Sequence, residues 1–221
     1  MILRIIFLII IVFFTHSFCS YFEDATKAFE EKNIEKALYF YKKSAITGND
    51  EAIFILGKIY YNGKYVKQDL EKALFYFSKI AAYGHQKAKY NTAIIYANKN
   101  YKKHNYKKAY DIFLELAQEG YAKAQNKVGI FLLHGLGIDK DYKMAVKWFE
   151  QALFVHQYQP ASCNLAIMFA NGYGVFPNFG RARKLAQEGY EKKIQTCVKV
   201  YKEFKLHKYP EDKGFKSGYY K

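Results

Sequence analysis

Histidine and cysteine are the side chains in this sequence most able to do chemistry, and their spacing shows no catalytic pattern. The chain has six histidines and three cysteines among its 221 residues. The histidines are isolated from one another, and no zinc-protease, Cys-x-x-Cys, nucleophile-elbow or phosphate-binding glycine motif is present. A metal site needs three or four ligands, and the sequence offers no third ligand beside His85 and His156. We therefore predict no catalytic, cofactor or metal site.

The cysteines allow a disulfide but do not require one. Cys19 lies in the N-terminal segment, which leaves Cys163 and Cys197 on predicted helices of neighbouring units. In an oxidising compartment these two could form a bridge if their Cβ atoms lie about 4 Å apart. Two buried small apolar side chains are an equally good interpretation. The sequence leaves both open.

Lysine gives the chain its formal net charge of +15. Only Arg4, Arg181 and Arg183 are arginines among the 35 basic residues. Because arginine is the residue favoured for bidentate phosphate recognition, this composition argues against nucleic acid as the partner. An anionic membrane or a cell-wall polymer is a better match for so basic a chain.

A repeated pattern of small residues organises the chain. Small residues open four copies of the pattern, at Ala52, Ala88, Ala124 and Ala161. A second small residue follows five positions later, at Gly57, Ala93, Gly129 and Ala166. The copies are 36, 36 and 37 residues apart. A fixed period of this length is typical of a helical repeat protein, whose units stack because one unit alone cannot bury its apolar face.

Each copy predicts two short helices. In the first copy Leu56, Ile59 and Tyr60 recur at helical spacing, and Gly63 suits the left-handed conformation that ends a helix. A polar residue then precedes the second helix, and we predict that it is the N-cap, whose side chain accepts a backbone hydrogen bond worth about 1 kcal/mol. The predicted N-caps are Asn33, Asp69, Asn105, Asp141 and Asn178.

This pattern resembles the Sel1-like repeats, a branch of the tetratricopeptide-like helical repeats. The residues that carry the resemblance are Ala52 to Gly57, Tyr60, Gly63, Val66, Asp69, Lys72, Ala73, Phe77, Ala81, Ala82 and Gly84. The glycine loop of the family is kept at Gly135–Ile138 and at Gly172–Val175. The resemblance covers roughly residues 21 to 206. It implies an all-α fold, namely a right-handed α-solenoid of about five helical hairpins, acting as a scaffold for protein–protein interaction.

Two copies depart from the family pattern. In the copy that opens at Ala88, Lys99, Lys102 and Lys103 replace the glycine turn. In the copy that opens at Ala161, Gly189 lies seven residues after Ala182, where the copies that open at Ala52 and Ala88 place a glycine eleven residues after the corresponding alanine. We interpret that difference as a deletion of about one helical turn.

Residues 1–19 are predicted to be a secretory signal peptide. Arg4 is followed by the apolar run Ile5–Phe14, and Ser17 and Cys19 are the small residues of a cleavage site. The run is well short of the roughly 20 residues that span a bilayer, and an uncleaved anchor is the alternative. We expect an exported protein, periplasmic or secreted. The absence of an Asn-x-Ser/Thr sequon favours a bacterial envelope over the eukaryotic secretory pathway.

The rest of the chain is predicted to be one repeat domain followed by a tail. The domain spans 20–206, with a capping hairpin at 21–48, repeats starting near 52, 88, 124 and 161, and a closing helix at 190–206. Residues 207–221 contain proline, glycine, lysine and tyrosine, and we predict a disordered basic tail. This tail is the predicted contact with an anionic membrane or cell-wall surface.

We predict a protein or peptide partner, bound on the first helix of each copy. Positions two and three residues after the opening alanine vary between copies, and we expect their side chains to face outward. The candidate partner-binding face comprises Phe54, Ile55, Lys58, Tyr90, Asn91, Asn126, Lys127 and Asn164. A merely solvated face would vary as well. The predicted function is therefore an exported, non-catalytic scaffold.

The alternative function is a cell-envelope enzyme or a glycan-binding protein. Cysteine-rich relatives of the family imply an activity like that of β-lactamases or penicillin-binding proteins. Those relatives carry a cysteine pair in every repeat, and this chain does not.

Overall fold

The computed structural model describes residues 21–212 and 214, and all regular structure within them is helical. The helices are α1 (21–30), α2 (Ile34–Ile46), α3 (Asp50–Asn62), α4 (Leu70–Ala81), α5 (Gln86–Tyr96), α6 (Tyr106–Gln118), α7 (Ala122–His134), α8 (Tyr142–Glu150), α9 (Pro160–Asn171), α10 (Phe179–Glu191) and α11 (Gln195–Glu203). This confirms the predicted all-α repeat fold. In the described part of the chain, no helix has both the length and the apolar character that crossing a bilayer requires. The predicted signal segment lies outside the described residues.

The chain divides into two compact units, with the boundary between Tyr101 and Lys102. Unit 1 contains α1 to α5, in which α3 packs against α2 and α4, and α4 packs against α5. Unit 2 contains α6 to α11, in which each helix packs against the next and α11 also packs against α9. The boundary falls in the copy that opens at Ala88, where lysines replace the glycine turn.

The small residues of the repeat lie where helices meet. The opening alanines of all four copies are fully buried. A side-chain carbon at Gly57 would stand 2.6 Å from the ring of Phe77, and one at Gly129 would stand 2.5 Å from the ring of Phe149. The first helix of a hairpin can therefore approach the second closely only because these positions carry no larger side chain.

The polar residues predicted as N-caps precede the second helix of each hairpin. In each case the side-chain oxygen accepts a hydrogen bond of 2.8 to 3.1 Å from the backbone N–H three residues on. These caps are Asn33, Asp69, Asn105, Asp141 and Asn178. Two caps were not predicted: Asn49 accepts from the N–H of Ala52, and Nδ1 of His85 accepts from the N–H of Ala88.

The fifth hairpin has no deletion, so that interpretation of Gly189 is wrong. Helix α10 continues through Gly189 to Glu191. The left-handed residue is Lys193, with φ of 57°, and it lies eleven residues after Ala182, as the repeat requires. Gly189 is buried inside the helix instead. For the same reason the closing helix begins at Gln195 rather than at 190.

The 37-residue spacing has a local cause at the end of α8. A π-helical turn, Gln151–Val155, follows that helix and takes up one extra residue per turn. The left-handed conformation then falls on Gln157, with φ of 53°, one position later than in the other copies. After the insertion the repeat resumes its register at Ala161.

The predicted disordered tail is wrong for its first residues. Leu206–Lys208 forms a 3₁₀ turn, and the ring of Tyr209 stacks on Phe179 with centroids 4.6 Å apart. The carboxylate of Asp212 accepts a hydrogen bond of 3.1 Å from Nε of Arg181. These contacts hold residues 209–212 against the start of α10. The remainder of the predicted tail, apart from Gly214, lies outside the described residues.

Candidate partner-binding groove

A groove of about 780 Å³ lies along one side of unit 2, between α7, α9 and α11. Helix α9 forms its floor, because the other helices of the unit bury almost all of α9. From Ala161 to Asn171, only Ile167 and Asn171 are more than slightly exposed, and both line the groove. Asn164, one helical turn before Ile167, lines it as well.

The walls of the groove combine apolar and polar side chains. Helix α7 contributes Ile130, Leu133 and His134, and α11 contributes Gln195, Thr196, Lys199, Val200, Glu203 and Phe204. Amide and hydroxyl groups can each donate and accept hydrogen bonds, while the apolar groups favour burial of apolar ligand surface. This lining suits a ligand with both a polar backbone and apolar side chains.

The glycine loops shape one end of the groove. The rings of Tyr142 and Tyr173 stack there with centroids 4.7 Å apart and planes inclined by 12°. The loop that carries Tyr173 lies against the backbone of Tyr142, because Gly174 has φ of 70° and a side-chain carbon there would stand 2.6 Å from the carbonyl carbon of Tyr142. Lys140 completes this end.

Asn126 and Asn164 do not face outward, and that expectation is wrong for both. They are 7% and 8% exposed, and Nδ2 of Asn164 donates a hydrogen bond of 2.7 Å to Oδ1 of Asn126. Asn126 and Asn164 therefore lie where the successive first helices α7 and α9 meet. Of the two residues, only Asn164 lines the groove.

Lys127 is also partly withdrawn from solvent. It follows Asn126 on α7, and burial lowers the pKa of its ammonium group. It does not line the groove.

In unit 1 the predicted face is largely part of the hydrophobic packing. Phe54 lies between the rings of Phe77 and His85, with centroids 5.6 and 5.0 Å away. The ammonium group of Lys58 stands 5.7 Å from the centroid of Phe54. The expectation that the repeat leaves Phe54 free is therefore wrong. Ile55 packs against the same core, and Tyr90 and Asn91 are half-buried.

A disulfide between Cys163 and Cys197 joins α9 to α11, with a Cα–Cα distance of 4.7 Å. Both cysteines are fully buried. Gly189 of α10 makes room for the bridge, because a side-chain carbon there would stand 2.2 Å from Sγ of Cys197. The disulfide fixes the wall of the groove that α11 supplies. It also resolves the choice between bridge and free thiols that the sequence left open.

Groups able to do acid–base or metal chemistry are sparse around the groove. Its titratable side chains other than lysine and tyrosine are His134 and Glu203. Throughout residues 21–212, no three His, Cys, Asp or Glu side chains come together in a way that could hold a metal ion.

The Sel1 repeat model matches residues 22–49, 50–85, 122–153 and 159–193, more than half of the chain. The chain belongs to the Sel1 repeat family. Sel1 repeat proteins typically bind other proteins. The stretch that the model leaves out, 86–121, includes the lysine-rich loop at the boundary between the two units.

Solved Sel1 repeat structures share this fold. A protective antigen present in uropathogenic Escherichia coli strains, displaying an SLR fold, is 24% identical, with a TM-score of 0.72 over 86% of this chain and 42% of its own. A Sel1 repeat protein from Oxalobacter formigenes is 26% identical, with a TM-score of 0.67 over 76% of this chain and 66% of its own. This Sel1 repeat chain thus spans less than half of the first protein and about two thirds of the second. No curated protein matches the sequence.

Proposed function

We propose that this Sel1 repeat protein is an exported, non-catalytic scaffold that binds an extended segment of another protein in the groove of unit 2. The groove itself carries the proposal. Its floor is a nearly fully buried helix, so the few side chains of α9 that reach solvent, Ile167 and Asn171, are held in place. Such rigid lining binds with little loss of side-chain freedom.

The lining favours a peptide over a small polar ligand. An extended peptide presents backbone N–H and C=O groups that Asn164, Asn171 and Gln195 are suited to pair with. Its side chains would meet the apolar surface of Ile167 and Phe204. Recognition of this kind takes affinity from the backbone and specificity from the side chains.

Export is supported by the chemistry of the two cysteines. A buried disulfide persists in oxidising compartments and is rare in the cytosol. The signal-like character of residues 1–19 points in the same direction. We propose a periplasmic or secreted location in a bacterial envelope. Mass spectrometry of the native protein should find a chain that lacks residues 1–19, and a chain that retains them would support a membrane anchor instead.

The groove is tested by charge reversal on α11. Lys199 lines the groove, whereas Lys202, on the same helix, is exposed and does not. Each protein is used to capture partners from envelope extract, followed by mass spectrometry. We expect Lys199→Glu to lose the captured protein and Lys202→Glu, the matched control, to retain it.

Two results would contradict the proposal. Equal capture by both variants would place recognition outside the groove. Specific binding of a glycan, or turnover of a β-lactam by the wild-type protein, would favour an envelope enzyme or glycan-binding protein.

A further inference from the structure

Four large apolar side chains on unit 1 are more than half exposed to solvent. They are Tyr39 at 56%, Phe75 at 63%, Ile46 at 80% and Tyr83 at 86% exposure. Tyr39 and Ile46 lie on α2, Phe75 lies on α4, and Tyr83 follows the end of α4. Single exposed apolar residues are ordinary, but a group on two related helices indicates an interaction surface.

The repeat places these residues on the same side of the two helices. Tyr39 comes two residues after the buried Ala37, and Phe75 comes two residues after the buried Ala73. In a helix this offset turns a side chain about 200° away from the buried alanine. The edges of both rings contact the next ring along the chain, with centroids 5.3 Å apart. We call this side of α2 and α4, with Tyr83, the outer face.

Unit 2 carries charged residues where unit 1 has these aromatic rings. The equivalent positions, two residues after the buried alanines of α6, α8 and α10, are Asp111, Lys147 and Lys184. The fold of the repeat therefore does not require an aromatic residue there. Aromatic residues occupy this repeat position in unit 1 only.

Lysines surround the apolar group. Exposed lysines on the outer face are Lys36, Lys42, Lys43 and Lys79. Within the described residues none of these four makes an ion pair with a carboxylate, and the ammonium group of Lys43 stands 5.6 Å from the ring of Tyr39. The outer face is thus both apolar and positively charged.

The acidic residues nearby do not cancel this charge. The carboxylate of Asp69 lies 3.2 Å from the ammonium group of Lys72, so these two charges offset each other. Glu35 and Glu71, in the first turns of α2 and α4, are the exposed acidic residues on the outer face, and its four lysines outnumber them.

We propose that the outer face of α2 and α4 binds an anionic lipid surface. Aromatic side chains settle at the level of the lipid headgroups, and lysines reach phosphate groups while their aliphatic stems stay in the apolar layer. Protein interfaces, in contrast, are depleted in lysine and enriched in arginine. This surface lies in unit 1 and does not depend on the proposed groove in unit 2.

The test uses tryptophan as a local probe in the complete chain. Phe75→Trp places the probe on the outer face, and Phe176→Trp places it at a residue of unit 2 that is 93% exposed. Trp148 is common to both proteins and cancels in the comparison. Vesicles of phosphatidylcholine mixed with phosphatidylglycerol are compared with vesicles of pure phosphatidylcholine. A local probe is needed because residues 1–19 are apolar and could hold the chain on any bilayer.

We expect the emission of Phe75→Trp to shift to the blue with the mixed vesicles only, and that of Phe176→Trp to stay unchanged. In the Phe75→Trp background, Lys42→Gln, Lys43→Gln and Lys79→Gln together should weaken vesicle binding by about tenfold or more. The matched control replaces three exposed lysines of unit 2, Lys123, Lys143 and Lys147, by Gln and should bind as before.

Three results would overturn the proposal. A blue shift of equal size with pure phosphatidylcholine would remove the requirement for anionic lipid. Equal loss of binding in both lysine variants would assign the effect to total charge. No shift with vesicles but a shift with soluble envelope protein would make the outer face a protein interface.

Discussion

At the start of α4, the carboxylate of Asp69 accepts a hydrogen bond of 2.9 Å from the backbone N–H of Lys72. Replacing Asp69 by Ala leaves that N–H without its side-chain acceptor, and we expect the free energy of unfolding to fall by about 1 kcal/mol. Asp141→Ala should cost about the same, because it caps α8 in the same way. Urea denaturation near neutral pH measures both. No change in either variant would contradict the role of the caps.

The charge on Asp69 adds a pH dependence. The backbone hydrogen bond from Lys72 lowers the pKa of Asp69 below its usual value. Because the folded pKa is the lower one, the stabilisation from the charge is complete above the unfolded pKa and is lost as the pH falls through the folded pKa. Asp69→Asn keeps the cap without the charge. We expect the difference in free energy of unfolding between Asp69→Asn and the wild type to shrink on acidification to about pH 3.

Lys193 occupies a position that three other hairpins give to glycine, at Gly48, Gly84 and Gly120. Its φ of 57° is unfavourable for a residue with a side chain, so Lys193→Gly should raise the free energy of unfolding by about 0.5–1 kcal/mol. Lys192→Gly is the matched control, because Lys192 has φ of −76° and gains nothing from glycine. If both variants are destabilised alike, the left-handed strain at Lys193 is not significant.

Residue positions governed by local rules could be predicted from the sequence, and those governed by a neighbouring helix could not. An N-cap such as Asp141 depends on the few residues that follow it. The burial of Asn126 and Asn164 depends on how α7 meets α9, and variation between copies was a misleading signal there. Buried positions such as those of Asn126 and Asn164 can also vary between copies, because each side chain needs only to fit its own hydrogen-bond partner.

Between paired helices, Gly129 allows α7 to approach the ring of Phe149 on α8. Gly129→Ala would put a methyl group 2.5 Å from that ring, and we expect a cost of about 1–3 kcal/mol. Combining it with Phe149→Leu should recover part of the loss, because the smaller side chain opens space. Thermal unfolding of the two variants measures the effect. The prediction would be contradicted if the double variant lost more stability than the two single variants lose together.

The disulfide acts at the level of α9 and α11. It closes a loop between residues 34 positions apart, so Cys163→Ala with Cys197→Ala should lower the free energy of unfolding by about 3–4 kcal/mol. Hydrogen exchange should show the loss in α9 to α11 and leave α2 to α4 unchanged. Faster exchange spread evenly over both units would contradict a local role. Partner capture by this variant should weaken as well, since α11 forms a wall of the groove.

The sequence predicted helix ends correctly where a glycine marks them, and the prediction failed where another residue adopts the left-handed conformation. Gly63 ends α3 as expected. Lys193 and Gln157 adopt the same left-handed conformation without the residue type that predicts it. Tertiary packing outweighs local preference at both sites, and the π-helical turn before Gln157 has no sequence signature beyond the single extra residue in the period.

On the scale of the whole chain, the sequence predicted the repeat period but not the boundary between the two units. The copy that opens at Ala88, with its lysine loop, was the irregularity that the sequence showed. Lys102 and Lys103 are exposed just beyond the buried Tyr101. We expect brief trypsin treatment to cut there first, leaving fragments that end or begin near residue 102, because exposed connections between compact units are cut first. Early cleavage within a helix would contradict this.

The bridge between Cys163 and Cys197 also governs how the chain responds to force. Pulling on the two ends loads the covalent bridge and bypasses α10, which lies inside the closed ring. The ring withholds about 120 Å of extension, at about 3.6 Å per residue over its 34-residue span, until the bridge is reduced. A pore or unfolding motor that threads the oxidised chain must therefore admit more than one strand at this point. A channel only one strand wide would stop there.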